Sequence, residues 1–115
     1  MRIGFVGAGK MATALARGMI ASGNFSAENM MAACPQRDSH LLKEIQSLGV
    51  TTTHENVEIA HKSDVIFIAV KPIHVRKVTA EIANHVSKDK LLISIALGIT
   101  IRSIESVGFL ESAQI

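Results

Sequence analysis

The chain has 115 residues, of which 48% are apolar and 3% are aromatic, and its formal net charge is +2. This length predicts one domain, and the apolar content excludes a disordered chain. The single cysteine excludes a disulfide scaffold, no apolar run approaches the roughly 20 residues of a membrane span, and the small charge argues against a nucleic-acid partner.

The first half of the chain predicts two strand–helix units, because short apolar runs alternate with apolar residues at helical spacing. A strand at Ile3–Val6 is followed by a helix over residues 10–22. A second strand at residues 29–33 is followed by a helix that begins at an Asp38 or Ser39 cap. Glycines are expected to end both helices, at Gly23 and Gly49. The buried face of the first helix is expected to contain Met11, Leu15, Gly18 and Met19, with Ala12 and Ala16 beside them.

The second half continues this alternation. A short β-branched strand at residues 50–53 precedes a brief helix over residues 56–61. Residues 65–70 (VIFIAV) are apolar without alternation, which predicts a strand buried on both faces. The remaining expected elements are a helix over residues 75–86, a strand at residues 91–95 and a helix that begins at a Thr100 cap. Strict alternation of this kind predicts parallel strands joined by right-handed crossovers.

The loop after the first strand contains a G-x-G-x-x-A pattern at residues 7–12. Gly7 permits a tight turn, Gly9 leaves space where a pyrophosphate approaches the backbone, and Ala12 lets the helix pack closely. The alternative is an ordinary tight turn whose glycines serve geometry alone. Because the pattern lies between a strand and a helix, it favours dinucleotide binding at the helix N-terminus. The expected fold is therefore α/β, a Rossmann-type parallel sheet of about five strands with helices on both faces, truncated before the sixth strand.

The end of the second strand bears on the choice between NAD and NADP. An acid that would hold the ribose hydroxyls of NAD is missing, because residues 33–37 read ACPQR. Arg37 is expected to meet a 2′-phosphate, with Cys34 and Gln36 as further donors, which favours NADP(H) over NAD(H). The alternative is that Arg37 is a solvated loop charge.

Three segments together resemble the N-terminal dinucleotide-binding domain of pyrroline-5-carboxylate reductase: GFVGAGKMA at residues 4–12, SDVIFIAVKP at residues 63–72 and SIALGITIRSIE at residues 94–105. The AVKP sequence within the second segment favours this family over the β-hydroxyacid dehydrogenases, which share the glycine turn. The resemblance predicts an NADP-binding Rossmann domain over residues 1–105 and a divergent tail over residues 106–115.

The resemblance implies cofactor contacts by the glycine turn, by the loops after the second, fourth and fifth strands, and by the third crossover. The implied residues are Val6, Gly7, Ala8, Gly9, Lys10, Met11, Cys34, Pro35, Gln36, Asn56, Ala69, Val70, Lys71, Pro72, Ala96, Leu97 and Gly98. The family usually has alanine where this chain has Leu97, which is expected to narrow the nicotinamide pocket. The likeness ends after Glu105, where the family continues into a substrate-binding and dimerisation domain.

The activity that the resemblance implies is NAD(P)H-dependent reduction of 1-pyrroline-5-carboxylate to L-proline, with hydride transfer to the imine carbon. One alternative is a non-catalytic module that binds NADP(H) only, and another is a subunit that borrows a substrate domain from a full-length partner. No residue is assigned to proton transfer, and Lys71 is interpreted as a loop lysine. The family is homo-oligomeric, but the segment that dimerises is the one without a counterpart here.

Metal binding and export are not expected. The five histidines have no partner at helical i, i+4 spacing and no nearby cysteine, which argues against a metal site. Neither a membrane nor a nucleic acid is expected as a partner. The chain begins with a strand rather than a leader and has one cysteine, which predicts a cytoplasmic location, with import into mitochondria as the alternative.

Overall fold

Five strands form one parallel sheet in the computed structural model, which describes residues 1–95. In chain order they are β1 (Ile3–Val6), β2 (Met30–Ala33), β3 (Thr51–Thr53), β4 (Val65–Ile68) and β5 (Leu91–Ser94). Their order in the sheet is β3-β2-β1-β4-β5, and each neighbouring pair is parallel. In the register, Phe5 lies between Ala32 and Phe67. The predicted α/β class with a Rossmann-type sheet is confirmed.

Helices cover both faces of this sheet. Within the described residues the α-helices are α1 (Lys10–Ala21), α2 (Leu42–Gln46), α3 (Asn56–Lys62) and α4 (Pro72–Ile82). Three 3-10 helices accompany them, at Ala27–Asn29, Gln36–Leu41 and Ala83–His85. Ile3 and Phe5 pack into the apolar cluster that includes residues of α1 and α2, whereas Val6 packs into the cluster that includes residues of α3 and α4. Every residue of β1 is therefore buried.

The strand order leaves a crevice at the carboxyl ends of the strands. The chain passes from β1 outward through β2 to β3 and then crosses to the opposite side of β1, where β4 begins. At such a reversal the loops after the two central strands diverge, and ligands of open α/β sheets bind there. Among residues 1–95, no helix has the length and apolar character needed to cross a bilayer.

The buried face of α1 contains Ala12 and Ala16, as predicted, but not Met11 and Gly18. Met11 is 44% exposed and Gly18 is also exposed, whereas Ala8, Ala12 and Ala16 are at most 2% exposed. These alanines recur every four residues and let the helix lie close to the sheet, which moves the larger Met11 side chain to the flank. The prediction that Met11 and Gly18 are buried was wrong.

The second helix begins later than predicted and without the expected cap. Residues Gln36–Leu41 form a 3-10 helix, and α2 starts at Leu42 with no side-chain cap. The Ser39 hydroxyl donates to the Gln36 carbonyl oxygen at 2.6 Å, and the Asp38 carboxylate lies 3.8 Å from Arg37 Nε. Both predicted caps thus serve other contacts, and the prediction was wrong.

The fourth strand is shorter and less buried than predicted. It ends at Ile68, so Ala69 and Val70 belong to the loop that follows. Ile66 and Ile68 are buried, but Val65 and Phe67 are only half-buried, so burial on both faces was wrong. Phe67 lies at the edge of the cluster under α1 and α2, where its ring stacks on Phe5 with a centroid distance of 5.5 Å. The predicted helix after Thr100 lies outside the described residues.

Candidate functional site

A cleft of about 630 Å³ opens at the carboxyl ends of the strands. The glycine turn after β1, the loops after β2 and β4, the residues after β3 and one face of α4 form its walls. Its volume lies in the usual range of small-molecule and cofactor sites. A smaller cavity of about 270 Å³ lies beside Met1 and Ile3, at the opposite end of β1, and the side chains that line it are uncharged.

The two glycines of the turn meet different surroundings. Gly7 has a φ of +110° and donates its N–H to the Ala33 carbonyl oxygen at 2.8 Å. A Cβ on Gly7 would lie 2.5 Å from the Ala69 carbonyl oxygen, so the fold itself requires glycine there. A Cβ on Gly9 would have no neighbour within 4 Å, and its φ is −78°. The geometry of the fold therefore requires glycine at position 7, but it does not require glycine at position 9.

The N-terminus of α1 meets the cleft at this point. Gly9 is the N-cap of this 12-residue helix and has no side chain to cap it, and it lines the cleft with Gly7 and Ala8. The first N–H groups of a helix have no partner within the helix, and they carry a partial positive charge. Open space above uncapped N–H groups suits a phosphate, so the turn fits the pyrophosphate of a dinucleotide.

The loop after β2 brings a thiol and a guanidinium to the same cleft. The Cys34 side chain is 3% exposed, and its Sγ donates to the Asp38 carbonyl oxygen at 3.4 Å. Burial, reinforced by the Asp38 charge, raises the pKa of the Cys34 thiol above 9.0, so the thiol stays neutral at neutral pH. Arg37 is 70% exposed and pairs with Asp38 only at 3.8 Å, which leaves its guanidinium available to a ligand.

Two contacts tie separate parts of the cleft together. His54 directly follows β3, and its Nδ1 lies 3.0 Å from the Cys34 carbonyl oxygen at the end of β2. Asn56 begins α3, and its amide donates to the Glu81 carboxylate of α4 at 3.4 Å. With its Nδ2 engaged by Glu81, Asn56 keeps its carbonyl oxygen as an acceptor for a ligand hydroxyl.

Most of the predicted contact residues line the cleft: Gly7, Ala8, Gly9, Cys34, Pro35, Arg37, Asn56, Ala69, Val70 and Lys71. Others lie beside it without lining it: Val6, Lys10, Met11, Gln36 and Pro72. Val6 is buried in β1, and Pro72 is the first residue of α4. Ala96, Leu97 and Gly98 lie outside the described residues. Contact with a cofactor stays a prediction for all of them.

The sequence reasoning missed several lining residues: Ala33, Asp38, Leu41, His54, His74, Lys77, Val78 and Glu81. Those on α4 follow Lys71 at helical spacing, a signal that could have indicated one face of that helix. His54 could have been found because it follows a strand directly. Among the lining residues, Arg37, Lys71 and Lys77 are cations and Asp38 and Glu81 are anions, so the walls suit an anionic ligand.

No group of three or more metal-ligating side chains occurs within residues 1–95. His61 and His85, however, are partners that sequence spacing did not predict, with Nε2 of His61 lying 3.1 Å from Nδ1 of His85. Two imidazoles alone form only part of a typical metal ligand set.

A family model and several known proteins are similar to this chain. A sequence model of the family described as "NADP oxidoreductase coenzyme F420-dependent" matches residues 2–98. The chain is 38% identical to pyrroline-5-carboxylate reductase 3 of Bos taurus, over 92% of this chain and 34% of the relative. The chain therefore spans about a third of the length of that relative.

Solved structures agree with this similarity. Pyrroline carboxylate reductase of Plasmodium falciparum, solved with NADP bound, superposes with a TM-score of 0.80 at 30% identity, over 97% of this chain and 39% of that one. Pyrroline-5-carboxylate reductase of Coxiella burnetii superposes with a TM-score of 0.83 at 31% identity, over 92% and 39% of the two chains.

Proposed function

Because this chain belongs to the NADP oxidoreductase coenzyme F420-dependent family, we propose that it binds a nicotinamide adenine dinucleotide in the cleft at the carboxyl ends of its strands. The observation that carries the proposal is the open space at Gly9, beside the uncapped N-terminus of α1. The positive φ at position 7 and the nearby Ala69 carbonyl oxygen require glycine there, but nothing in the fold requires Gly9 to lack a side chain.

Each wall of the cleft has a role in this proposal. The turn of residues 7–9 and the first N–H groups of α1 hold the pyrophosphate. The Asn56 carbonyl oxygen accepts from a ribose hydroxyl, and Lys71 adds positive charge beside the phosphates. Residues 96–98 are proposed to contact the nicotinamide half, as the resemblance implies. The bound dinucleotide supplies the hydride, whereas the protein orients it and excludes water.

We propose NADP(H) as the preferred form. No acid lies at the end of β2, where NAD-specific sites hold the ribose hydroxyls, and the exposed Arg37 guanidinium lines the cleft there. Arg37→Ala is expected to raise the dissociation constant of NADPH about tenfold and that of NADH less than twofold. Titration of both dinucleotides, followed by their fluorescence, measures this. Equal losses for NADPH and NADH would argue that Arg37 is a solvated loop charge.

The reaction we propose is reduction of 1-pyrroline-5-carboxylate to L-proline. A hydride passes from the reduced nicotinamide to the imine carbon, and a proton passes to the imine nitrogen. Support comes from the 38% identity to a reductase of that name and from the 30% identity to a related structure solved with NADP. Because the chain spans about a third of that relative, a module that binds the dinucleotide without turnover is the second candidate.

One experiment separates the two candidates. The purified chain is mixed with NADPH, first alone and then with 1-pyrroline-5-carboxylate, and the absorbance of NADPH is followed together with proline formation. Oxidation that depends on the imine and yields proline supports the reductase. Saturable NADPH binding without oxidation supports the module. Absence of binding to either NADPH or NADH contradicts the dinucleotide site itself.

A further inference from the structure

His54 lies at the adenosine end of the proposed dinucleotide site, and none of the cofactor contacts proposed so far involves it. It is the first residue after β3 and lines the cleft together with Arg37. Its Nδ1 is 3.0 Å from the carbonyl oxygen of Cys34, the residue that directly follows β2. In dinucleotide folds the segment after the second strand meets the ribose 2′ position. The imidazole is therefore held against the part of the chain that distinguishes NAD from NADP.

The hydrogen-bond partners of His54 are both acceptors. The Cys34 carbonyl oxygen can only accept, so Nδ1 donates to it. Nε2 lies 3.5 Å from Ser39 Oγ, whose single proton is already donated to the Gln36 carbonyl oxygen at 2.6 Å. A neutral imidazole that donates from Nδ1 would have no proton on Nε2 to donate to Ser39. An imidazolium, which donates from both nitrogens, matches the whole arrangement.

The charged groups around His54 do not compensate that positive charge closely. Asp38, on the 3-10 helix packed against it, lies 3.8 Å from Arg37 Nε. Glu58 of α3 accepts from Lys62 and from Thr53 Oγ1, both at 2.6 Å. Lys71 directly precedes α4, and Lys77 and Glu81 are the charged lining residues on α4. Asn56 donates to Glu81, and His74 also lines the cleft. Glu55 follows His54 in the chain, and Cys34 is kept neutral by burial.

We propose that His54, in its doubly protonated form, is a specificity-determining cation for the 2′-phosphate of NADP(H), acting beside Arg37. The inference rests on the proposed dinucleotide site and extends it by making the preference for NADP(H) over NAD(H) dependent on pH. Histidine ordinarily changes charge between about pH 5 and pH 8. A role that requires the imidazolium is stronger at a lower pH, because loss of the proton removes the charge.

The test compares the wild-type chain with His54→Asn, whose amide can still donate to the Cys34 carbonyl oxygen, and with His40→Asn as a matched control that does not line the cleft. Dissociation constants of NADP⁺ and NAD⁺ are measured by calorimetry at about pH 6 and about pH 8. The preference is the ratio of the two constants. Dividing the wild-type preference by that of H54N cancels the titration of the 2′-phosphate itself.

We expect this quotient to be about three- to tenfold at the lower pH and below about twofold at the higher pH. For H40N the corresponding quotient should stay near one at both pH values. A quotient near one throughout, while both dinucleotides still bind, overturns the role of His54 and leaves the proposed site intact. A quotient that is equally far above one at both pH values overturns the requirement for a protonated His54. Failure of the wild-type chain to bind either dinucleotide overturns the proposed site as well.

Discussion

Gly7 and Gly9 lie two residues apart in the turn after β1, yet a methyl group would meet different surroundings at each. On Gly7 it would lie 2.5 Å from the Ala69 carbonyl oxygen, on a backbone with φ of +110°. On Gly9 it would lie in open space at the N-terminus of α1. The same substitution at the two positions therefore separates the requirements of the fold from those of the ligand.

Gly7→Ala is expected to lower the free energy of unfolding by about 2–4 kcal/mol, because the left-handed backbone and the contact with Ala69 both resist a side chain. Gly9→Ala should change it by less than about 1 kcal/mol but weaken NADPH binding at least about tenfold. Denaturant unfolding and fluorescence titration measure the two quantities. If G9A binds NADPH as tightly as the wild type, the pyrophosphate does not lie over this turn.

The Cys34 thiol should react slowly despite its place at the cleft. It is 3% exposed, and burial together with the Asp38 charge raises its pKa above 9.0. At about pH 8 we expect an aromatic disulfide reagent to modify the native chain at least about tenfold more slowly than the urea-unfolded chain. Unfolding frees the Cys34 thiol to ionise at its ordinary pKa of 9.0. The thiol therefore lowers the free energy of unfolding increasingly as the pH rises above 9.0. Equal rates in the two states would mean that Sγ is exposed.

At the scale of elements, the contact of α3 with β1 depends on a glycine inside the strand. A Cβ on Gly4 would overlap Ser63 Oγ and lie 2.5 Å from Ile59 Cγ2. Both Ile59 and Ser63 are at most 1% exposed, so neither side chain has free space into which it can move.

Gly4→Ala is expected to lower the free energy of unfolding by about 2–4 kcal/mol, since α3 must move away from the sheet. Adding Ser63→Ala should recover part of the loss, because it removes the overlapping hydroxyl but leaves Ile59 in place. Gly18→Ala is the matched control, because Gly18 lies within α1 and no atom lies near its Cβ position. Alanine there should raise the free energy of unfolding by about 0.5–1 kcal/mol. Denaturant unfolding of the wild type and these three variants tests this, and a G4A chain as stable as the wild type would contradict the packing.

The alternation of strands and helices was predictable because apolar runs in buried strands and helical spacing are local signals. The helix start after β2 was not, because Asp38 and Ser39 are good caps in isolation and only the fold shows that Arg37 and Gln36 engage them. Burial of Met11 was mispredicted for a similar reason. Its hydrophobicity is local, but its exposure follows from how closely Ala12 lets α1 approach the sheet.

In the candidate site, too, local sequence signals predict some residues, whereas others depend on the assembled fold. The glycine turn and the residues at strand ends follow from chain position, so Gly7, Gly9 and Arg37 could be proposed from the sequence. The lining face of α4 depends on the angle at which that helix crosses the sheet, and the Asn56–Glu81 bond joins residues of two different crossovers. His54 is brought to Cys34 by the parallel pairing of β2 with β3, which no short-range pattern encodes.

At the scale of the whole molecule, the cleft exists only when the sheet is assembled. Its walls come from residues between Gly7 and Glu81, contributed by the ends of β1, β2, β3 and β4 and by α4. The unfolded chain keeps none of these contacts, so a ligand of the cleft binds the folded state alone. Such a ligand stabilises the fold by mass action, by about 2.7 kcal/mol when its free concentration is a hundred times its dissociation constant.

NADPH at that excess is therefore expected to raise the midpoint of thermal unfolding by about 10 °C or more, given the size of the domain. The rise should grow with the logarithm of the NADPH concentration, because each tenfold increase adds about 1.4 kcal/mol once the site is saturated. Gly9→Ala, which keeps the fold, is expected to need at least about tenfold more NADPH for the same rise. Differential scanning calorimetry of both chains over a series of NADPH concentrations measures this. A rise of the same size in both chains would mean that NADPH stabilises the protein from a surface other than this cleft.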